Sequence, residues 1–242
     1  MNIKDKVVIV TGTSEGIGKA AALALSAKGA KLVLAARSED KVKALAARLP
    51  GAIGIRADMR VPADVEALIA AAIQAHGRVD LLINNAGQGM YGPIDSVDLE
   101  QYKSIMELNV YAALRAMQLV IPHMRKAGGG MIVNVSSMVS KNAFPSLGAY
   151  ASTKYALNAL SLTARAELVE DNIHVCLLHP KMTATRFGEN AIGPRPSYSG
   201  GSSPGGPAAG GAASGPPAVD SPEQVADKLL ELIASEAAEA NM

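Results

Sequence analysis

The chain has a single cysteine and no tryptophan among its 242 residues. Cys176 lies in the apolar run 174–178 with no adjoining lysine or arginine to draw out a thiolate, so it reads as a small buried hydrophobe rather than a nucleophile. No spacing of His, Cys, Asp and Glu matches a metal site. An excess of one charge is also lacking: 23 Lys and Arg against 22 Asp and Glu leave a formal net charge of +1. The cations are scattered, which excludes the electrostatic footprint of a nucleic-acid or anionic-membrane binder. No basic segment followed by an apolar one opens the chain, and no apolar run reaches membrane-spanning length, so a cytoplasmic location is expected. Ser137, the serine a hydrolase would use at the edge of the sheet, is not set in the Gly-x-Ser-x-Gly elbow of many serine hydrolases. None of the four histidines has the context of a serine's partner base, although His179, at the end of a predicted strand, comes nearest.

Against these absences stands a hydrophobic content of 49%, with 19% charged residues, enough apolar surface to offset the ordering entropy of a globular chain. The length suits one domain spanning 1–242. Short β-branched runs at 6–10, 31–35, 52–56, 79–84, 131–136 and 173–179 read as strands, and their near-continuous apolarity is the pattern of strands covered on both faces. Between them, segments such as 17–28, 62–76, 99–125 and 149–170 carry helical periodicity and are long enough for right-handed crossovers. The prediction is an α/β fold, a doubly wound Rossmann-type parallel sheet between two helical layers. Residues 193–217 are rich in Gly, Pro, Ser and Ala, with Arg195 and Tyr198 as their only large side chains, and are expected to form a mobile loop. Ser221 then caps a last helix with Pro222 at its first position. Nothing after Leu232 looks β-like, so a strand beyond the sixth is expected to be absent.

Chemistry begins at Thr11-Gly12-Thr13-Ser14-Glu15-Gly16-Ile17-Gly18, between the first strand and first helix. Glycines there permit a tight turn and let backbone N–H groups approach a pyrophosphate at the helix N-terminus, which implies a dinucleotide cofactor. The second strand ends Ala35-Ala36-Arg37, with no carboxylate to accept from the adenosine ribose. Arg37 offers instead a charge-assisted fork worth roughly 1.5–3 kcal/mol to a 2′-phosphate. NADP(H) is therefore expected over NAD(H), with Glu15 a weak opposing charge of at most about 1 kcal/mol.

A second constellation is Tyr150-Ala151-Ser152-Thr153-Lys154, which sets a phenol and an ammonium one helical turn apart. A phenol working near neutrality needs its pKa lowered by roughly three units, about 4 kcal/mol. A unit charge about 4 Å away at an effective dielectric near 20 supplies that much. The spacing alone arises by chance in about one such sequence in three, so placement carries the weight. Ser137 ends the fifth strand at the carboxyl edge of the sheet, where ligands of open α/β sheets bind, and its hydroxyl can meet a substrate carbonyl; taken alone, it reads equally as a strand-ending turn serine.

Together with Asn84-Asn85-Ala86-Gly87 and Asn109, these motifs resemble the short-chain dehydrogenase/reductase family over roughly residues 6–185. The resemblance implies an oxidoreductase acting on a carbonyl/alcohol pair, with Tyr150 as general acid in reduction and base in oxidation. It implies that Lys154 holds the nicotinamide ribose and lowers the phenol's pKa, that Ser137 orients the carbonyl, and that Asn109 holds a water in a proton relay. Gly12, Ser14, Gly16, Ile17 and Gly18 would cradle the phosphates and Asp58 would meet the adenine. Asn85 and Gly87 would flank the adenosine, and Pro180, Thr183 and Thr185 the carboxamide. From the residues alone, Asp58 reads equally as a solvated loop acid and Asn84-Asn85 as a strand end. Lys181 departs from the family's glycine after Pro180. Substrate walls are expected at 88–94, 138–147 and 182–192, where Met90, Tyr91, Met138, Phe144, Met182 and Phe187 favour an apolar ketone. Region 183–218 would be a flexible loop over that pocket. A homo-oligomer is the assembly the family implies. The rival reading is an NADP(H)-binding or scaffolding protein that Lys181 and a missing last strand have made idle.

Overall fold

A computed structural model describes residues 1–195 and 219–242. The chain runs β1 (Val7–Thr11), α1 (Gly16–Ala27), β2 (Lys31–Ala36), α2 (Glu39–Ala46), β3 (Ile53–Arg56), α3 (Pro62–His76) and β4 (Leu81–Asn84). It continues through α4 (Leu99–Met106), a π-helical turn (Glu107–Tyr111), α5 (Ala112–Lys126), β5 (Gly130–Val135) and a 3₁₀ turn (Met138–Ser140). The last elements are α6 (Gly148–Glu167), β6 (Ile173–His179), α7 (Pro222–Ser235) and β7 (Glu239–Asn241). All seven strands are parallel, in the order β3-β2-β1-β4-β5-β6-β7. The order reverses between β1 and β4, so α1 and the loop after β4 leave the sheet on opposite sides and open a crevice at its carboxyl edge.

Burial on both faces explains the apolar strands: every residue of β1, β4 and β5 is buried. On one face α1, α2 and α7 pack through Leu25, Val42 and Leu229; on the other α3 and α5 pack through Leu68, Met117 and Val120. Local chemistry fixes several ends. Pro62 opens α3, and Gly77 closes it in the left-handed conformation at φ 73°. Ser221 and Gln224 form a reciprocal capping box at α7.

Two expectations are corrected. The predicted helix 99–125 is interrupted at Glu107–Tyr111 by a π-helical turn that carries Asn109. A seventh strand exists: Glu239–Asn241 pairs with β6 in the register Leu177↔Glu239, Leu178↔Ala240 and His179↔Asn241. Three residues without a β-branched side chain give no sequence signal, and the open edge of β6 supplies the pairing. The predicted mobile loop falls mainly on residues 196–218, outside those described.

Candidate active site

The turn after β1 is braced from the neighbouring strands. Thr13 is fully buried, and its N–H and hydroxyl both donate to Ala35 O, at 3.1 and 3.2 Å. Thr11 Oγ1 accepts from the backbone N–H groups of Asn85 and Ala86, both at 3.0 Å. Asn85 Nδ2 donates back to Thr11 O at 2.9 Å and Gly12 O at 3.2 Å. Asn85 thus holds the glycine turn in shape, while Ile17 packs onto the core beneath and Ser14 sits half-buried between them.

These residues fit a dinucleotide. Gly12 and Gly16 have φ of 72° and 59°, where a side chain is strained. A Cβ on Gly12 would lie 2.9 Å from Ala86 Cα, and one on Gly18 would be driven into the carbonyl oxygen of Gly12. Helix α1 starts without a side-chain cap, so its first N–H groups face the crevice with the helix dipole behind them.

The edge of the sheet beyond β2 is cationic. Arg37 is exposed at the end of β2, and its charge acts on Arg60, whose guanidinium pKa is lowered chiefly by burial and in part by Arg37. Arg60 is held by Gln88 Oε1, by Ser104 Oγ at 3.1 Å and by Asp58, whose Oδ1 lies 3.8 Å away. Asp58 Oδ1 also accepts from the N–H of Arg60 at 3.0 Å, so half of this carboxylate is committed within its own loop. Glu15 is not an isolated anion. Lys41 and Arg186 each lie 3.8 Å from its Oε2, and Asn190 Nδ2 donates to its Oε1 at 3.0 Å.

At the opposite end, β5 runs out at Val135 and Ser137 caps the 3₁₀ turn, its Oγ accepting from the N–H of Val139 at 3.3 Å. Helix α6 points its first turns at the same spot. The buried Tyr150 phenol lies near enough to Ser137 for that side chain to act on its pKa, and its ring packs on Phe187 with centroids 5.6 Å apart. Lys154, also buried, donates to Val135 O at 2.9 Å. Gly87 completes the group: a Cβ there would meet Asn109 Oδ1 at 3.3 Å and Lys154 Nζ at 3.7 Å. The resemblance put Gly87 beside the adenosine; here its neighbours are the two inner polar residues. Gly87, Asn109 and Lys154 therefore lie together, and Lys154 ties them to the end of β5, where Ser137 and Tyr150 meet.

Burial dominates the electrostatics of both groups. It pushes the Tyr150 phenol up to about 12, with Ser137 opposing and Tyr91 reinforcing the shift. Burial also pushes the Lys154 ammonium down to about 8. Lys154 directs one N–H at the Val135 carbonyl. Asn109 is placed differently from a free water ligand. Its Oδ1 accepts from the N–H of Gln88 at 2.9 Å, and its Nδ2 donates to Gln88 O at 2.9 Å and Thr153 Oγ1 at 3.0 Å.

The predicted walls divide. Met90 is buried in a cluster with Ile105, Ala149 and Tyr150, so it packs the wall from behind. Tyr91 and Phe187 stand at the phenol, while Phe144 and Met138 are half-buried and Met182 is exposed. Segment 89–91 pairs with Ile192 through Tyr91 N to Ile192 O at 2.7 Å and Ile192 N to Gly89 O at 2.9 Å. Thr185 rests its methyl against Gly16, and Thr183 bridges to Asp220. Pro180 O accepts from the N–H of Met138 at 3.0 Å, and Lys181 turns outward, exposed. Thr11, Thr13 and Thr153 are the supporting residues sequence reasoning passed over, since a buried hydroxyl bonded to backbone leaves no spacing signal.

Comparison with known proteins agrees with this arrangement. The family model described as short chain dehydrogenase matches residues 6–193. A curated relative, dehydrogenase/reductase SDR family member 4 of Bos taurus, is 37% identical over 190 residues, which cover 76% of this chain and 68% of the relative. Among solved structures, an alcohol dehydrogenase from Thermococcus sibiricus complexed with 5-hydroxy-NADP superposes with a TM-score of 0.81 at 25% identity, covering 99% of this chain and 96% of that one. A 7α-hydroxysteroid dehydrogenase complexed with NADH and 7-oxo glycochenodeoxycholic acid gives a TM-score of 0.84 at 27% identity, covering 100% and 94%.

Proposed function

The chain belongs to the short-chain dehydrogenase/reductase family, and from that premise we propose that it transfers a hydride between NADP(H) and an apolar ketone or secondary alcohol, with Tyr150 exchanging the proton. The observation that carries this reading is the placing of the buried Tyr150 phenol within the influence of the Ser137 side chain at the carboxyl edge of the sheet, with Lys154 one turn further along α6. When bound, the nicotinamide supplies the hydride and, oxidised, a positive charge beside the phenol. The chain's own residues do the rest. Ser137 donates to the carbonyl oxygen and Tyr150 delivers the proton to it, a contribution of about 10²–10⁴ in rate. Lys154 holds the cofactor's ribose hydroxyls through the N–H groups not directed at Val135 O, and Asn109, its side chain committed, offers its backbone to a relay water. Packing by Phe187 and Tyr91 keeps bulk water from the proton path.

NADP(H) preference rests on Arg37 at the ribose-facing end of β2, with Arg60 behind it. The neighbours named above were complexed with an NADP derivative and with NADH, so the choice falls to this chain's own cations. Glu15 opposes a phosphate less than its charge alone implies, because Lys41 and Arg186 lie close. Gly12, Ser14, Gly16, Ile17 and Gly18 would cradle the pyrophosphate, Asp58 would meet the adenine through its free carboxylate oxygen, and Thr183, Thr185 and Pro180 would border the nicotinamide. β7 removes one ground for reading the chain as idle. Assembly as a homo-oligomer is supported by Tyr111, Tyr155 and Leu162, apolar side chains left 48%, 48% and 44% exposed. The near-neutral charge and the absence, among the described residues, of a helix long and apolar enough to cross a membrane support a cytoplasmic enzyme without nucleic-acid or membrane partners.

The test is a panel of aliphatic, aromatic and steroidal ketones with NADPH and with NADH, followed at the absorbance of the reduced nicotinamide, beside Tyr150→Phe. Turnover that prefers NADPH and collapses in the variant is expected. Cofactor binding without any turnover would establish the idle, scaffolding reading instead.

A further inference from the structure

His179 is fully buried at the end of β6, and its two ring nitrogens reach in opposite directions. Nε2 lies 3.0 Å from Glu239 Oε2, on the short last strand. Nδ1 lies 3.4 Å from Ser140 Oγ. Ser140, itself buried, donates from Oγ to the backbone carbonyl of Ser137 at 2.6 Å and accepts from Asn158 Nδ2 at 2.9 Å. Ser140 therefore holds the carbonyl of the residue that orients the substrate in the reading above, His179 backs Ser140, and a carboxylate on the last strand anchors the imidazole.

Serine, histidine and a carboxylate in contact invite comparison with a nucleophilic triad, but the placement argues against it. Ser140 is sealed from solvent, and its shortest hydrogen bond goes to a carbonyl. A polar chain buried this deeply adds little net stability over apolar packing of the same volume, yet it is directional. Direction is what a catalytic hydroxyl requires, since its oxygen must sit within about 0.5 Å of the productive position.

We propose that Glu239 is a positioning residue of the active site: through His179 and Ser140 it fixes the 3₁₀ turn that presents the Ser137 hydroxyl. The three-residue strand β7 delivers this carboxylate to the imidazole, and Lys141, whose Nζ donates to the same Oε2 at 2.6 Å, ties the far end of the turn to it. The inference rests on Ser137 orienting the substrate carbonyl, and its test separates the two ideas.

Hydrogen exchange in the cofactor-free protein, read by mass spectrometry on a peptide covering 136–147, reports on the turn without any need for turnover. Glu239→Ala and Ser140→Ala are each expected to speed exchange there at least fivefold while a peptide covering 11–20, the phosphate turn, stays unchanged. With the best ketone of the panel, kcat is expected to fall about tenfold in each variant at constant NADPH affinity. Glu239→Gln, which keeps an acceptor for the imidazole, is expected to recover most of the rate, and the double variant to lose no more than either single one. Unchanged exchange in 136–147, or losses that multiply in the double variant, overturns the proposal; should Glu239→Ala fail to fold, Ser140→Ala and Glu239→Gln decide it. Full turnover in Ser137→Ala would instead remove the role of Ser137, whatever the exchange data show.

Discussion

Asn109 Nδ2 donates to Thr153 Oγ1 at 3.0 Å, so the π-helical turn between α4 and α5 is bonded to the turn of α6 that carries Tyr150 and Lys154. Thr153 passes the link on, donating to the Tyr150 carbonyl at 2.7 Å, and is fully buried. Removing its hydroxyl strands an amide N–H in the interior, a cost of about 1–3 kcal/mol. Thr153→Val is therefore expected to lower the urea midpoint and reduce kcat several-fold, whereas Thr153→Ser keeps both. A Thr153→Val variant matching the parent in both measurements would show that the link is dispensable.

Tyr150→Phe keeps the ring against Phe187 and removes only the hydroxyl. Turnover should drop by about 10²–10⁴ while NADPH affinity, measured by nicotinamide fluorescence, stays within a few-fold.

The two buried titrating groups make opposite contributions to stability with pH. Lys154 has a folded pKa of about 8 against an ordinary 10.5, so between those values the unfolded chain binds more protons and stability rises with pH. Tyr150, moved from 10 to about 12, makes the folded chain the better proton binder in that window, and stability falls there. Urea unfolding from pH 7 to 10 should thus show a rise that Lys154→Met abolishes; an identical slope in the variant would refute the assignment.

Arg37→Ala removes the cation exposed just past the end of β2, where the proposal puts the adenosine ribose. Loss of a charge-assisted bond worth roughly 1.5–3 kcal/mol predicts a tenfold or greater rise in the Kd of NADPH with little change for NADH. Equal weakening of both cofactors would place the 2′-phosphate elsewhere.

Gly12→Ala and Gly77→Ala separate backbone strain from collision. Both glycines have φ near 72°, which costs an alanine about 1–2 kcal/mol. A Cβ at Gly77 meets nothing within 4 Å, whereas at Gly12 it presses on Ala86 Cα at 2.9 Å. Gly77→Ala should show the strain alone in thermal unfolding, and Gly12→Ala should in addition lose dinucleotide binding.

Linear sequence determined the parts of this protein that depend on neighbours along the chain. Strands buried on both faces read as apolar runs, Pro62 and Gly77 mark the ends of α3, the glycine turn sits between β1 and α1, and four residues set Tyr150 and Lys154 on one helix face. Tertiary structure decided what depends on distant partners. β7 exists because β6 has an open edge, a pairing that Glu-Ala-Asn does not announce. The π-helical turn carries an asparagine whose amide is used by Gln88 and Thr153. Burial, which only the folded packing creates, sends the Tyr150 phenol up and the Lys154 ammonium down. Propensity and periodicity act over a few residues, while desolvation and hydrogen-bond closure act across the sheet, and that difference in range is why the motif was legible and its electrostatics were not.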